Sequence, residues 1–569
     1  MSALDELKNF ERRIDQVMEG LSVFRQAVRV PLSGIVSVLH GLLHGQPSIN
    51  KGSRREAAYA FAARMAYLTP LLAKCPAEPL GTNARNVLEA WAAEQQEFKT
   101  GNRIVAYAYF CELMPEVHRG YFDITGSETA GFTLRHRSVE FSAFEAQDIL
   151  LSEAALATGQ GAPPDYDRIF DELAKTAPTL NPTLADQMQT ALARHYEESL
   201  FELPLVSDSG LQIAAGLSHR EFKRFRSALF GLSEFAVQLS MALERRFAKN
   251  PNDDAAFDEM LEWITICWKE DALLRILENL TKLEQNQLEP LLSLYGLDFR
   301  NDQRNISHAA EGFFPPLVRL PGTILVFPDL VKFFLQTRNL LYAVQRRNPK
   351  LFDNLISRHL EPELLRTVKC MLEPFKELQV QSNITWERGE IDLLVYDPRT
   401  NSAIHIQAKA PLPPQGARMV GRLEYRLREG LDQVRRFSAL PTNRRDAILS
   451  HALCRIVENV QVYDVLLARS CFGTQTLGTD AGSIDLISLP ILSGSLTDCV
   501  ESGAVTVPAI VQRCRENLRE LVMNARPQWI HDILWVENVA LEIPLFQFDL
   551  NFVDAFRKLL WRGRGSLAV

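Results

Sequence analysis

No stretch of the chain approaches the roughly 20 consecutive apolar residues that a bilayer crossing needs, so the sequence predicts no membrane span. Its eight cysteines are scattered, with no C-x-x-C pair and no clustering near histidines, which argues against a disulfide framework and against a zinc site. Reduced thiols fit a cytoplasmic protein. The opening residues lack a basic segment followed by an apolar one, so no secretory leader is expected. Excess positive charge is missing too: a net charge of -8 excludes a globally basic nucleic-acid coat, though not a local basic groove. Internal repeats and low-complexity tracts are absent.

Several catalytic signatures are lacking as well. There is no G-x-S-x-G, and no cysteine sits in a recognisable catalytic context. His40 and His44 have a metal-binding spacing, but the glutamate of H-E-x-x-H is missing between them. Gly473 and Gly478 mimic part of a phosphate loop, yet Thr479-Asp480 stands where Lys-Ser/Thr is required.

What remains is the composition of an ordinary globular protein, and 569 residues exceed what one core usually organises. The sequence predicts a mainly α N-terminal domain followed by an α/β domain. Residues 1–300 read as a helical scaffold or recognition domain, broken by a short hairpin around 120–143. In that region Ser218 and Glu221 form a capping-box pattern, followed by Phe222, Phe225, Leu229, Leu232, Phe235, Leu239 and Leu243 at helical spacing. A further helix from Asn252 is expected to carry Leu261, Ile264, Trp268, Leu273 and Ile276 on one face. A boundary is expected between 297 and 325, where a polar run gives way to Pro315, Pro316 and Pro321, and 301–355 reads as a connecting segment with a helix over 328–347.

From 356 to 490 the pattern changes. A helix over 361–378 precedes strands at 379–387, 390–396 and 403–409, then a helix over 419–438 and a strand at 460–468. This order implies a mixed sheet with an αβββαβ core. Residues 491–569 read as an α/β extension whose strand pair near 530–549 either extends that sheet or covers its edge.

Strand alternation puts Glu390 and Asp392 on one face, and His405, Gln407 and Lys409 on one face of the next strand. If those strands are neighbours, carboxylates, an amide oxygen and an ammonium converge. Such a set is costly to bury alone, and a hard cation with oxygen ligands relieves it. Asp392, Gln407 and Glu390 are the candidate ligands for Mg2+ or Mn2+, and Lys409 is the candidate charge clamp. His405 faces the same patch, as either a catalytic or a structural residue.

Gly389-Glu390-Ile391-Asp392, followed by Gln407-Ala408-Lys409, resembles the active-site signature of the PD-(D/E)XK nuclease superfamily. Gln in place of the usual Glu resembles the Q-x-K form of Mrr-like endonucleases. Gln433 with Phe437 resembles the Q-x-x-x-Y motif of RecB-type members, with Phe for Tyr. The resemblance covers about a quarter of the chain. It implies a catalytic set of Asp392, Gln407, Lys409, Glu390 and Gln433, with Glu363, or failing that Glu373, contributed by the preceding helix.

Between 401 and 450 nine basic residues face four acidic ones, and Arg418, Arg422 and Arg426 share a helix face. Together with Arg435 and Arg436 they form a candidate nucleic-acid strip, or else a solvated helix face. The expected function is metal-dependent DNA cleavage in phage defence, restriction or repair. A silent nuclease fold that binds nucleic acid or scaffolds a complex, and cleavage of RNA instead of DNA, remain alternatives. A protein partner or self-association through the helical half is compatible with either.

Overall fold

Helices dominate the first 300 residues because apolar side chains recur there at 3.6-residue spacing. The longest, His219–Lys249, begins as its sequence predicts. Ser218 accepts from the Glu221 N–H, and the Glu221 carboxylate accepts from the Ser218 N–H. Its buried face runs from Phe222 to Leu243 and packs against helices Pro182–Ser199 and Asp254–Ile264. Gly231 permits the first of these contacts: a Cβ there would lie 2.5 Å from the Ala193 nitrogen. The computed structural model describes residues 2–44, 58, 61–77, 82–155, 158–159, 164–202, 204–299, 314–414, 417–549, 551–552 and 555. Among these no helix is long and apolar enough to cross a membrane.

Some expectations are corrected. The helix from Asp254 stops at Ile264, and Trp268 lies in a strand, Ile266–Lys269. The β-branched and aromatic character of this run outweighs its helical spacing, since short apolar runs satisfy both periods. That strand joins Thr323–Val326, Leu317–Leu320 and Gly296–Asp298 in a four-stranded sheet within and beside the segment read as a helical connector. The helix expected over 328–347 is two helices, Pro328–Phe334 and Thr337–Arg347. Part of the expected boundary, residues 300–313, lies outside the described residues.

The segment carrying the motif contains helix α1 (Glu361–Leu372), strands β1 (Gln379–Trp386), β2 (Gly389–Asp397) and β3 (Ser402–Lys409), helices α2 (Ala417–Ser438) and α3 (Thr442–Leu453), and strands β4 (Gln461–Ala468) and β5 (Asp485–Ser488). The five strands form one mixed sheet in the order β5-β4-β3-β2-β1. β1, β2 and β3 are antiparallel neighbours, whereas β3, β4 and β5 are parallel. α1 ends at Leu372, not 378, and α3 and β5 add to the predicted order.

The C-terminal strand pair, Gln528–Val536 and Val539–Gln547, neither extends nor covers this sheet. It joins the hairpin Phe122–Ser127/Gly131–His136, with Leu541 opposite Phe132, in a separate four-stranded sheet.

Candidate functional site

Register brings the motif together. Leu393 pairs with Ile406 across β2 and β3, so Asp392 and Gln407 stand side by side on one face. That face also carries Leu394, Tyr396 and Ala403, which pack with Phe437 of α2. Leu393, Val395, Ile404 and Ile406 point the opposite way, into the large core. The division is the one that two-residue alternation dictates.

Gln407 Nε2 donates to Asp392 Oδ2 at 2.5 Å, and the Ala408 N–H donates to the same oxygen at 2.7 Å. With its amide nitrogen so engaged, Gln407 leaves Oε1 buried and, among the described residues, without a hydrogen-bond partner, in a residue only 2% exposed. Burial pushes the Asp392 carboxyl up to about 6; Ala408 and Lys409 oppose the rise, and Glu361 and Glu390 add to it. A buried amide oxygen with no donor costs about 1–3 kcal/mol. A cation touching this oxygen and Asp392 would relieve both costs, so the donor chemistry fits a hard divalent ion. Among the described residues no three His, Cys, Asp or Glu side chains are grouped to hold a metal ion. Such an ion would therefore rest on one or two carboxylates, the amide oxygen, water and substrate phosphate, as magnesium commonly does.

Lys409 ends β3, and its Nζ lies 3.3 Å from Glu361 Oε1 at the start of α1. Gly430 of α2 makes room for its stem: a Cβ there would lie 3.0 Å from Lys409 Cγ and 2.6 Å from Leu466 Cδ1. Farther along the same helix the Phe437 ring lies 4.5 Å from the His405 ring. Gln433 falls between these two contacts in sequence, and its Oε1 is also buried without a partner among the described residues. Glu390 is exposed at the start of β2, near enough to influence Asp392.

Other expected residues are placed elsewhere. Glu363 is buried and holds Arg366, with Oε1 and Oε2 3.1 and 2.9 Å from its Nε, so Glu361 and not Glu363 is the acid of α1 that meets Lys409. Glu373 follows the far end of α1. His405, on the Gln407 face of β3, has its Nδ1 2.8 Å from Asp464 Oδ1. His40 pairs with Asp329 at 3.0 Å. The Gly473 N–H donates to Asp148 at 3.0 Å.

The basic strip is partly tied down. Arg426 lies 3.7 Å from Glu429, and Arg435 lies 3.1 Å from Asp432 and also bonds the Asp480 carbonyl. Arg436 reaches the Asp432 and Arg388 carbonyls at 3.3 and 3.5 Å. Arg422 is exposed on α2, and the Arg418 side chain lies outside the described residues.

Sequence reasoning missed Glu361, Asp464 and Gly430. Two signals were present: Glu361 precedes a proline at the start of a helix, a common N-terminal pattern, and Gly430 interrupts an otherwise well-formed helix. No family model, curated protein or solved structure matches the chain.

Proposed function

We propose that the chain is a Mg2+- or Mn2+-dependent endonuclease acting on DNA, in a restriction, phage-defence or repair setting. One observation carries this reading: the unpartnered buried oxygen of Gln407 lies beside the buried Asp392 carboxyl, two residues from Lys409 on the same face. Asp392 and Gln407 would hold the ion, with Glu390 at the exposed rim. The ion, when bound, lowers the pKa of water and polarises a phosphodiester oxygen.

The remaining work falls to the chain's own groups. Lys409 offers its ammonium to the charge that develops on the phosphate. Glu361 holds that ammonium until a phosphate competes for it. Gln407 keeps Asp392 in place through its amide nitrogen while presenting its oxygen. Arg422 and Arg426, exposed on α2, supply positive charge for the polyanion backbone.

The test is cleavage of plasmid and linear DNA, with RNA in parallel, under magnesium or manganese. Asp392→Ala and Lys409→Ala should each lower the rate by about 100-fold or more while the fold is retained. Unchanged cleavage in both folded variants would reject the assignment. A second reading, nucleic-acid binding without cutting, draws on the glutamine at 407, which leaves one carboxylate fewer than the superfamily pattern provides. DNA binding in the parent that persists in both variants, with no cleavage under either metal, would favour it.

A further inference from the structure

Immediately after β4, Arg469 carries a guanidinium that is almost wholly buried, 5% exposed. Its hydrogen bonds reach three neutral backbone carbonyls: Pro204 at 3.2 Å, Leu205 at 3.4 Å and Leu360 at 3.3 Å. No carboxylate among the described residues lies within ion-pair distance of it. Glu363, the acid that attracts it, acts from farther away and is itself held by Arg366. Burial accordingly pushes the guanidinium down to about 10. Burying a cation against neutral carbonyls is expensive, and an apolar side chain of similar volume would fill the space at lower cost. Packing alone does not account for an arginine here.

The position of its partners supplies an account. Leu360 immediately precedes Glu361, the residue whose carboxylate meets Lys409. Lys409 and Ala468 are paired across β3 and β4, so Lys409 and Arg469 leave adjacent strand ends and reach consecutive residues at the start of α1. The lead into α1 is a π-helical turn, Ile356–Leu360, of the kind that concentrates at functional sites. A second contact steadies it: Ser207 Oγ lies 2.8 Å from His359 Nδ1. Pro204, Leu205 and Ser207 all belong to the helical half of the chain.

We propose that Arg469 is a positioning residue: with residues 204–207 of the helical half it fixes the Leu360 backbone and so keeps Glu361 on Lys409. The geometry of the Lys409 ammonium then depends on how the helical half is seated. The regulatory meaning of this link rests on the nuclease reading above; the link itself does not.

The experiment uses the full chain. Lysines are acetylated in the folded state with an N-hydroxysuccinimide ester, and Lys409 modification is followed by mass spectrometry in the parent, Glu361→Gln, Arg469→Met and the double variant. Removing Glu361 should speed Lys409 labelling by about threefold or more, the scale of a lost ion pair. Arg469→Met should reproduce that increase, and the double variant should label no faster than Glu361→Gln. Unchanged labelling in folded Arg469→Met, or multiplicative effects in the double variant, would overturn the proposal. Should Arg469→Met fail to fold, Ser207→Ala takes its place: faster Lys409 labelling supports the link, and labelling at the parent rate rejects it. In parallel, DNA cleavage should show a lower kcat in Arg469→Met with KM little changed. A parent that labels as expected but cuts no DNA would defeat the nuclease reading and leave the positioning link standing.

Discussion

The Asp392 carboxyl is the group whose chemistry most directly reports on the site. Burial lifts it to about 6 in the folded chain, against an ordinary value of 3.8. The folded protein therefore keeps a proton that the unfolded chain has already lost. This contribution to stability is fully present below about 3.8 and is lost as pH rises through about 6. At pH about 8 the ionised form should cost roughly 2–3 kcal/mol without a cation. Asp392→Asn should consequently melt at a higher temperature than the parent at pH about 8, with the gap closing toward pH about 4. Magnesium should raise the parent's Tm by more than that of the variant, because only the parent presents the buried carboxylate to the ion. Thermal melts at several pH values with and without the metal check both statements. A parent that outlasts Asp392→Asn by a growing margin as metal-free pH rises would contradict this account of the site.

At the scale of the elements, the strands carrying the motif were readable in the sequence because their alternation is regular. Glu390 and Asp392 share one face of β2, and Gln407 and Lys409 share one face of β3, whichever residue begins the strand; that the two faces coincide is set by register. Helix α2 was equally legible from Leu423, Leu427, Leu431 and Val434, all buried in the structure. The acid from α1 was not. Glu361 and Glu363 lie two positions apart, about 200° around a helix, and only tertiary packing sets that helix's rotation. Trp268 was misplaced for a related reason, since a run as short as Ile266-Cys267-Trp268 fits either a strand or a helix turn. Nor could periodicity reveal what Gly430 does, because its effect depends on the Lys409 stem crossing α2. Gly430→Ala should gain up to about 1 kcal/mol of helix propensity but force Leu466 and Lys409 aside. A net destabilisation of about 1–3 kcal/mol is expected. Denaturant unfolding should show it, together with a fall in DNA cleavage larger than the same loss of stability causes elsewhere. Stability equal to or above that of the parent would mean that the stem yields freely and that the close approach is unimportant.

For the molecule as a whole, sequence reading divides the chain into consecutive blocks, whereas the structure interleaves them. The C-terminal strand pair completes a sheet begun by the hairpin at Phe122–His136, and one continuous apolar core runs from Leu7 to Ile543. The back face of the candidate site belongs to that core: Leu393, Val395, Ile404 and Ile406 lie within it, and helix Val507–Ala525 packs against β2 and β3. A fragment limited to residues 356–490 would expose this face. Each large side chain returned to water forfeits about 1.5–3 kcal/mol. Four of them approach or exceed the roughly 5–15 kcal/mol that holds a typical domain together. The isolated fragment should therefore show no cooperative thermal transition and should neither bind nor cut DNA, although it contains Asp392, Gln407 and Lys409. Circular dichroism melts of the fragment beside the full chain provide the comparison. A fragment that melts cooperatively would establish that the five-stranded sheet is self-sufficient and that its apolar back face tolerates water. Absence of a transition would place the stability of the site in residues outside 356–490, helix Val507–Ala525 among them.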